Sequence, residues 1–322
     1  MAALLLQTLR THLIKEGGAA KPLSLQHPEV RYEVTDHCNA ACIMCPREKH
    51  DRAHGIMNQK QYERSIDEVV PLGATQVVLT GFGEPLLDRK LEQKIAYAKE
   101  KGLRTYVITN GSLLHARAQS LADAGLDELR ISFYGMKTKS YNSIMQGLDF
   151  AKSKRGILEF LEVRKETKVQ MSYLVFPNNE HYQEFLDYWE PLVDYIEVWE
   201  PHNFGDGKDF RRREGVKKSC GRPENGPLQI QWNGEVVPCC YDYNNQIILG
   251  NVFDTPVLKV LYGEKYEDLR DAHAKREFQR FPYCNQCDQL LKHEDVLLYT
   301  NRHTLPKKEA VKLSNTDLTK LS

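Results

Sequence analysis

The residues best suited to chemistry in this chain are its eight cysteines, which fall into two groups. Cys38, Cys42 and Cys45 form a Cys-x3-Cys-x2-Cys arrangement. A long gap separates them from Cys220, the adjacent Cys239 and Cys240, and Cys284-x2-Cys287. Such clustering is unlike a disulfide framework, and the apolar opening from Ala2 to Leu6 is too short for the core of an export signal. The groups therefore read as metal or iron-sulfur ligands in a reducing, cytoplasmic setting. A structural zinc ion takes four protein ligands, so the first trio is one short. Three thiolates can instead hold a cubane iron-sulfur cluster with one iron left open, and an open iron is a place for chemistry. The second group could form a four-cysteine zinc knuckle or an iron-sulfur site, and spacing alone does not choose between them.

Something must position these loops. Between the two groups the chain repeats a short β-branched or aromatic run, a polar loop and an amphipathic stretch. Strand candidates are Val30 to Thr35, Gln76 to Thr80, Arg104 to Thr109, Glu128 to Ser132, Val169 to Phe176 and Tyr195 to Trp199. Helical patterns lie at Gln59 to Val69, Leu91 to Lys101, Leu114 to Ala124, Tyr141 to Lys152 and Glu180 to Trp189. This alternation builds parallel strands with helical crossovers. It predicts an α/β fold, a partial (β/α)6 TIM-like barrel followed by a small C-terminal α+β iron-sulfur domain. Polar loops follow the strands, among them Asp36-His37-Cys38, Gly81-Phe82-Gly83-Glu84-Pro85, Asn110-Gly111, Pro177-Asn178-Asn179 and Glu200-Pro201-His202-Asn203. Ligands bind at the carboxyl ends of strands in such folds, so these loops are expected to converge on one site.

Residues 204 to 227, with the runs Arg211-Arg212-Arg213 and Lys217-Lys218, read as a solvated linker. Leu228 to Trp232 and Glu235 to Val237, around Asn233-Gly234, predict a β-hairpin. Helical patterns follow near Pro256 to Tyr262 and Tyr266 to Phe278. The expected division is a helical extension over 1–28, the barrel over 29–210, an auxiliary domain over 211–300 and a polar tail over 301–322. Lys+Arg and Asp+Glu balance at 44 each, which argues against nucleic acid as a partner. No apolar run approaches the roughly 20 residues of a membrane span, so no membrane partner is expected.

The trio after the first strand and Gly81 to Pro85 after the second resemble the radical S-adenosylmethionine superfamily. The resemblance implies a [4Fe-4S] cluster on Cys38, Cys42 and Cys45 whose open iron chelates the amino and carboxylate groups of S-adenosylmethionine. One electron, from a reductant such as flavodoxin or ferredoxin, then releases methionine and a 5'-deoxyadenosyl radical that abstracts a substrate hydrogen. Gly81, Gly83, Glu84 and Pro85 resemble the family's Gly-Gly-Glu-Pro segment with Phe82 inserted, and imply contact with the methionine end. Met44 stands where the family packs the adenine. Ser132 matches a position that meets the ribose or carboxylate, with Asn110 and Asn178 as similar candidates; all three equally suit turn or helix-capping roles.

The second group resembles the auxiliary-cluster extension called SPASM in its full form and Twitch when shorter. The full form has a further cysteine six positions after Cys-x2-Cys, where this chain has His293. Five cysteines remain after the trio, enough for one auxiliary [4Fe-4S] cluster on Cys220, Cys239, Cys284 and Cys287 with Cys240 spare. Residue order leaves an exchange between Cys239 and Cys240 open. An auxiliary cluster can take the electron left on a substrate radical while a base, Glu200 or His202, takes a proton; the result is dehydrogenation. Cys240 could instead return a hydrogen atom, giving epimerisation. Some members with such extensions modify peptides, but the residues before the first strand are too few for a leader-binding domain, so a small-molecule substrate such as a sugar, cyclitol or nucleotide derivative is expected. The non-enzymatic alternative is an iron-sulfur electron carrier or scaffold.

Overall fold

A strand covered on both faces can be apolar throughout, and Val77, Val78 and Leu79 are all buried. The computed structural model describes residues 24–176, 182–205, 210, 215–291 and 296–302. In it six parallel strands follow one another across the sheet: β1 (Glu29–Glu33), β2 (Gln76–Thr80), β3 (Arg104–Thr109), β4 (Glu128–Ser132), β5 (Lys168–Leu174) and β6 (Tyr195–Trp199). Helices α1 (Gln59–Val69), α2 (Leu91–Glu100), α3 (Leu114–Asp123), α4 (Thr138–Ile144), α5 (Phe150–Val163) and α6 (Tyr182–Trp189) make the crossovers. Asn58 caps α1 by accepting from the Lys60 amide at 2.9 Å.

Beyond β6 come α7 (Arg222–Asn225), β7 (Leu228–Ile230), β8 (Glu235–Val237), β9 (Gly250–Asn251), α8 (Val257–Leu261), α9 (Glu264–Lys275), α10 (Pro282–Gln286) and β10 (Leu297–Thr300). The sheet runs β10-β6-β5-β4-β3-β2-β1-β7-β8-β9 and does not close, so the barrel is partial. The expected hairpin is present as antiparallel β7 and β8. It also joins the barrel sheet directly, because β7 pairs parallel to β1, with Val30 opposite Leu228. At the other edge β10, which the sequence analysis did not anticipate, pairs antiparallel to β6.

Two expectations change. The stretch 141–152 is not one helix: α4 stops at Ile144 and α5 restarts behind Asp149, whose side chain accepts from the Lys152 amide at 2.7 Å. Gly147 turns the chain between them at φ +88°. The freed carbonyls of Ile144 and Gln146 accept from the amides of Ile43 and Ala41 at 3.0 and 2.8 Å, so the break serves the cysteine loop. The described part of the expected linker is fastened down: the Lys218 amide donates to the Leu290 carbonyl at 2.8 Å, and Lys217 Nζ to the Asn285 carbonyl at 2.7 Å. The segment between β1 and α1 also carries a β-bridge between Thr35 and Ile56. Residues 1–23, the Arg211 to Arg213 run and the tail from 303 lie outside the described residues.

Val30 and Tyr32 enter the apolar core, where Ser65 Oγ on α1 donates to Tyr32 Oη at 3.1 Å. By alternation Arg31 and Glu33 face the other way, into the lumen of the partial barrel. Register carries that face across the sheet through Val78, Tyr106, Arg130, Gln170, Ser172 and Glu197.

The loop after β2 is anchored by a buried ion pair. Lys94 Nζ on α2 lies 2.7 Å from Asp88 Oδ2, with both side chains buried. Replacing Lys94 by Met leaves Asp88 buried and uncompensated, and is expected to cost about 3–5 kcal/mol in urea unfolding. Adding Asp88→Leu should recover much of that loss.

Candidate active site

Cys38, Cys42 and Cys45 sit on the loop after β1, all half-buried. Burial pushes the Cys42 thiol up, and the neighbouring Cys45 and Cys38 push it further. The loop is held by polar side chains. Asn39 Nδ2 donates to Ser112 Oγ at 2.9 Å, and Asn110 Nδ2 donates to Asn39 Oδ1 at 3.0 Å. Asn110 thus ties the cysteine loop to the end of β3. Met44 is buried in the apolar core.

The turn after β2 is tight against the end of β1. A Cβ on Gly81, at φ +143°, would stand 2.5 Å from Glu33 Cγ, and one on Gly83 would stand 2.1 Å from the Thr35 carbonyl oxygen. These glycines are required by packing of the turn on β1. Glu84 is buried, and its carboxylate is engaged within the protein: Oε1 accepts from the Leu86 amide at 3.0 Å and Thr109 Oγ1 at 2.6 Å, Oε2 from the Asn110 amide at 2.7 Å. Glu84 therefore locks the turn to β3, and Pro85 opens the short 3-10 turn that follows.

Polar groups line the lumen. Arg130 Nη2 donates to Ser172 Oγ at 2.9 Å, with Glu197 Oε2 3.7 Å from Arg130 Nη1. Tyr106 Oη donates to Gln170 Oε1 at 3.2 Å, and Trp199 Nε1 to Glu197 Oε2 at 3.0 Å. Ser132 closes β4 on the same face and interacts with Tyr134, whose hydroxyl is raised chiefly by burial and senses Cys42. The lumen thus reaches the cysteine trio. Asn178 lies outside the described residues.

The second cysteine group comes from three separate segments. Burial pushes the Cys284 thiol up, and Cys287 and Cys220 add to it. Cys239 is raised by burial, then by Cys240, and also senses Cys287. Cys240 lies toward the barrel: Arg31 Nη1 donates to its Sγ at 3.5 Å. Asn203, buried after β6, ties the lumen rim to this group, its amide donating to Asp288 Oδ2 at 2.9 Å and its Nδ2 to the Gln286 carbonyl at 3.2 Å.

A network of rings links the chain after Cys45, the glycine turn, the end of β6 and the chain after Cys240. His50 stacks on Tyr243 at 5.7 Å and meets Phe82 edge-on at 5.4 Å. Phe82 meets Phe204 at 5.6 Å, and His202 lies 3.9 Å from Phe204 and 4.0 Å from Tyr241. His202 is therefore brought into the site, whereas Glu200 is exposed at its rim. Sequence reasoning missed His50, Arg52 and Glu33. The available signal was the alternation of charged Arg31 and Glu33 with Val30, Tyr32 and Val34 in the first strand.

Among the described residues no three His, Cys, Asp or Glu side chains converge closely enough to hold a single metal ion. Three thiols on one loop, and five more drawn from three segments, suit the wider frame of iron-sulfur cubanes.

Gly83→Ala should lower iron bound at the trio and weaken S-adenosylmethionine binding at least tenfold, measured by iron content and equilibrium dialysis. Gly102→Ala, strained at φ +78° but meeting nothing within 4 Å, should leave both unchanged. A pH effect follows from His50, whose ring nitrogens are buried without a partner. Burial, then Arg52 and Arg47, lowers its pKa from 6.5 to about 4. The unfolded chain takes up a proton that the folded one refuses, so stability is full above pH 6.5 and is lost as pH falls toward about 4. His50→Leu should reduce the slope of stability against pH in that window by up to one proton.

Residues 32–188 match the Radical SAM superfamily, and residues 220–288 match the SPASM iron-sulfur cluster-binding domain. A probable GTP 3',8-cyclase of Methanococcus maripaludis is 32 % identical over 135 residues, covering 41 % of this chain and 45 % of that protein. The chain thus spans less than half of that relative. The GTP 3',8-cyclase of Lactiplantibacillus plantarum is 30 % identical over 233 residues, covering 65 % of this chain and 66 % of the other. In fold the chain is similar to BtrN in complex with AdoMet and 2-DOIA, with TM-score 0.58 and 19 % identity over 86 % of this chain and 99 % of that one. It is also similar to Streptococcus suis SuiB bound to S-adenosylmethionine, with TM-score 0.64 and 18 % identity over 82 % and 72 %. No helix among the described residues is long and apolar enough to cross a membrane. With its cysteine trio after β1, its glycine turn after β2 and its second cysteine group, the chain belongs to the radical SAM superfamily, carries a SPASM iron-sulfur domain, and takes [4Fe-4S] clusters and S-adenosylmethionine as cofactors.

Proposed function

We propose that the chain oxidises a small polar molecule by two electrons, converting a carbinol to a carbonyl. The observation that carries this reading is that the second cysteine group abuts the lumen, with Arg31 on the lumen face of β1 donating to Cys240 Sγ at 3.5 Å. An electron leaving a substrate radical held in the lumen has an acceptor beside it.

When bound, the cofactors would supply a 5'-deoxyadenosyl radical and a one-electron acceptor, held by the first and second cysteine groups respectively. The balance is one hydrogen atom to 5'-deoxyadenosine, one proton to a base and one electron to the acceptor; a reductant such as flavodoxin or ferredoxin provides the electron that starts each turnover. The chain's own residues do the rest. Arg130, Gln170, Ser172 and Glu197 offer donors and acceptors to hydroxyl groups. His202, beside Tyr241 and next in space to the auxiliary segment, takes the proton. For the ligand set, proximity of Cys239 to Cys287 supports Cys220, Cys239, Cys284 and Cys287, and leaves Cys240 nearer the lumen.

The GTP 3',8-cyclase relatives favour a second reading, in which GTP is the substrate and a ring is closed. Anaerobically reconstituted enzyme should therefore be supplied with dithionite, S-adenosylmethionine and a panel of cyclitols, sugars and GTP. A product two mass units lighter than its substrate, formed with 5'-deoxyadenosine, is the expected result. A cyclised GTP would replace oxidation with the second reading, and solvent deuterium in a product of unchanged redox level would make Cys240 a hydrogen donor and the enzyme an epimerase. His202→Gln should slow product formation by roughly 10²–10⁴-fold, with 5'-deoxyadenosine still released.

A further inference from the structure

Two guanidiniums converge on the second cysteine group. Arg31 reaches Cys240 Sγ at 3.5 Å from the lumen side, while its Nε lies 2.6 Å from Glu29 Oε1. Arg222 opens α7, two residues after Cys220, and its guanidinium stands 4.9 Å from the centre of the Tyr241 ring. Among the described residues no carboxylate pairs with Arg222. Its charge is instead supported, against burial, by Cys240, Tyr241, Cys239 and Cys220. The two cations also oppose one another, since Arg222 acts to lower Arg31. Holding like charges together in a half-buried place is unfavourable unless an anionic group lies between them.

We infer that Arg31 and Arg222 form a cationic collar that raises the reduction potential of the cluster on the auxiliary cysteines and so fits it to receive an electron from the lumen. The inference deepens the electron-acceptor role proposed above and rests on it. Reduction adds one electron and no proton, making the cluster one unit more negative. Fixed cations beside the group favour that state, and net charge is among the quantities that set cluster potentials; Arg31 acts from the spare Cys240, next in the chain to Cys239, and Arg222 from two residues beyond Cys220. Both arginines act through the cluster and are positioning residues, not groups that touch the substrate.

The test uses the full chain with Cys38, Cys42 and Cys45 all changed to Ala, so that only the auxiliary group contributes an iron-sulfur spectrum. Its midpoint potential is read by anaerobic titration with dithionite and redox mediators, followed by electron paramagnetic resonance. Arg31→Gln and Arg222→Gln should each reduce the equilibrium constant for reduction about tenfold, ~59 mV downward for a one-electron couple. Full iron with an unchanged midpoint in the Gln pair would overturn the collar. If a Gln variant fails to hold iron, the combined Arg31→Lys and Arg222→Lys variant decides: it keeps both charges, so a retained midpoint supports the inference and a tenfold fall overturns it. No substrate or S-adenosylmethionine is present in this measurement, so an enzyme that fails to oxidise any substrate would refute the dehydrogenation and leave the measured potentials standing. If the triple-alanine chain itself shows no iron-sulfur spectrum, both readings fall.

Discussion

One buried ion pair binds the segments of the active site to one another. Glu33, at the end of β1, is fully buried, and both its oxygens accept from the Arg52 fork at 2.7 Å. Glu33 Oε2 also accepts from the Phe82 amide at 3.2 Å, and Arg52 Nε donates to the Tyr243 carbonyl at 2.8 Å. Four segments meet there: β1, the continuation of the cysteine loop, the glycine turn and the chain just after Cys239 and Cys240. Burial works against the Arg52 charge, but Glu33 outweighs it and holds the guanidinium above its usual pKa. Bidentate geometry is what makes so dry a pair tolerable.

Around this pair the loops are built to hold the cysteines still rather than to be flexible. The break between α4 and α5 exposes two carbonyls to the cysteine loop, and Asn39, Asn110, Ser112 and Glu84 relay hydrogen bonds from that loop to the ends of β2 and β3. The glycine turn rests so closely on β1 that its lack of side chains is a packing requirement. A site whose ligands come from a single short loop needs this second layer, because ligand geometry is only as exact as its supports. The auxiliary domain is held by the same logic, since β7 continues the barrel sheet beyond β1 and Asn203 clasps the segment at Asp288.

Most of the architecture was legible because it is local. Strands β2, β3, β4 and β6 and helix α1 begin and end where the apolar patterns place them. The exceptions have tertiary causes. A continuous helical pattern over 141–152 yields to the cysteine loop's demand for acceptors, and β10 forms because β6 offers it an edge. His50 gave no sign of its burial, since it stands in a polar stretch and is covered by Phe82 and Tyr243, distant in sequence.

Spacing alone determined that three thiols share a loop, that five others remain for a second group, and that β/α units would bring the loops to one end of a sheet. Those conclusions depend on covalent proximity and on period, which a linear chain displays. Tertiary structure decided which cysteine meets which partner: Cys240 meets Arg31 across 209 residues, and Glu33 meets Arg52 across 19. Such pairs are selected by strand register and by how much water their surroundings exclude, and neither quantity exists until the chain has closed on itself.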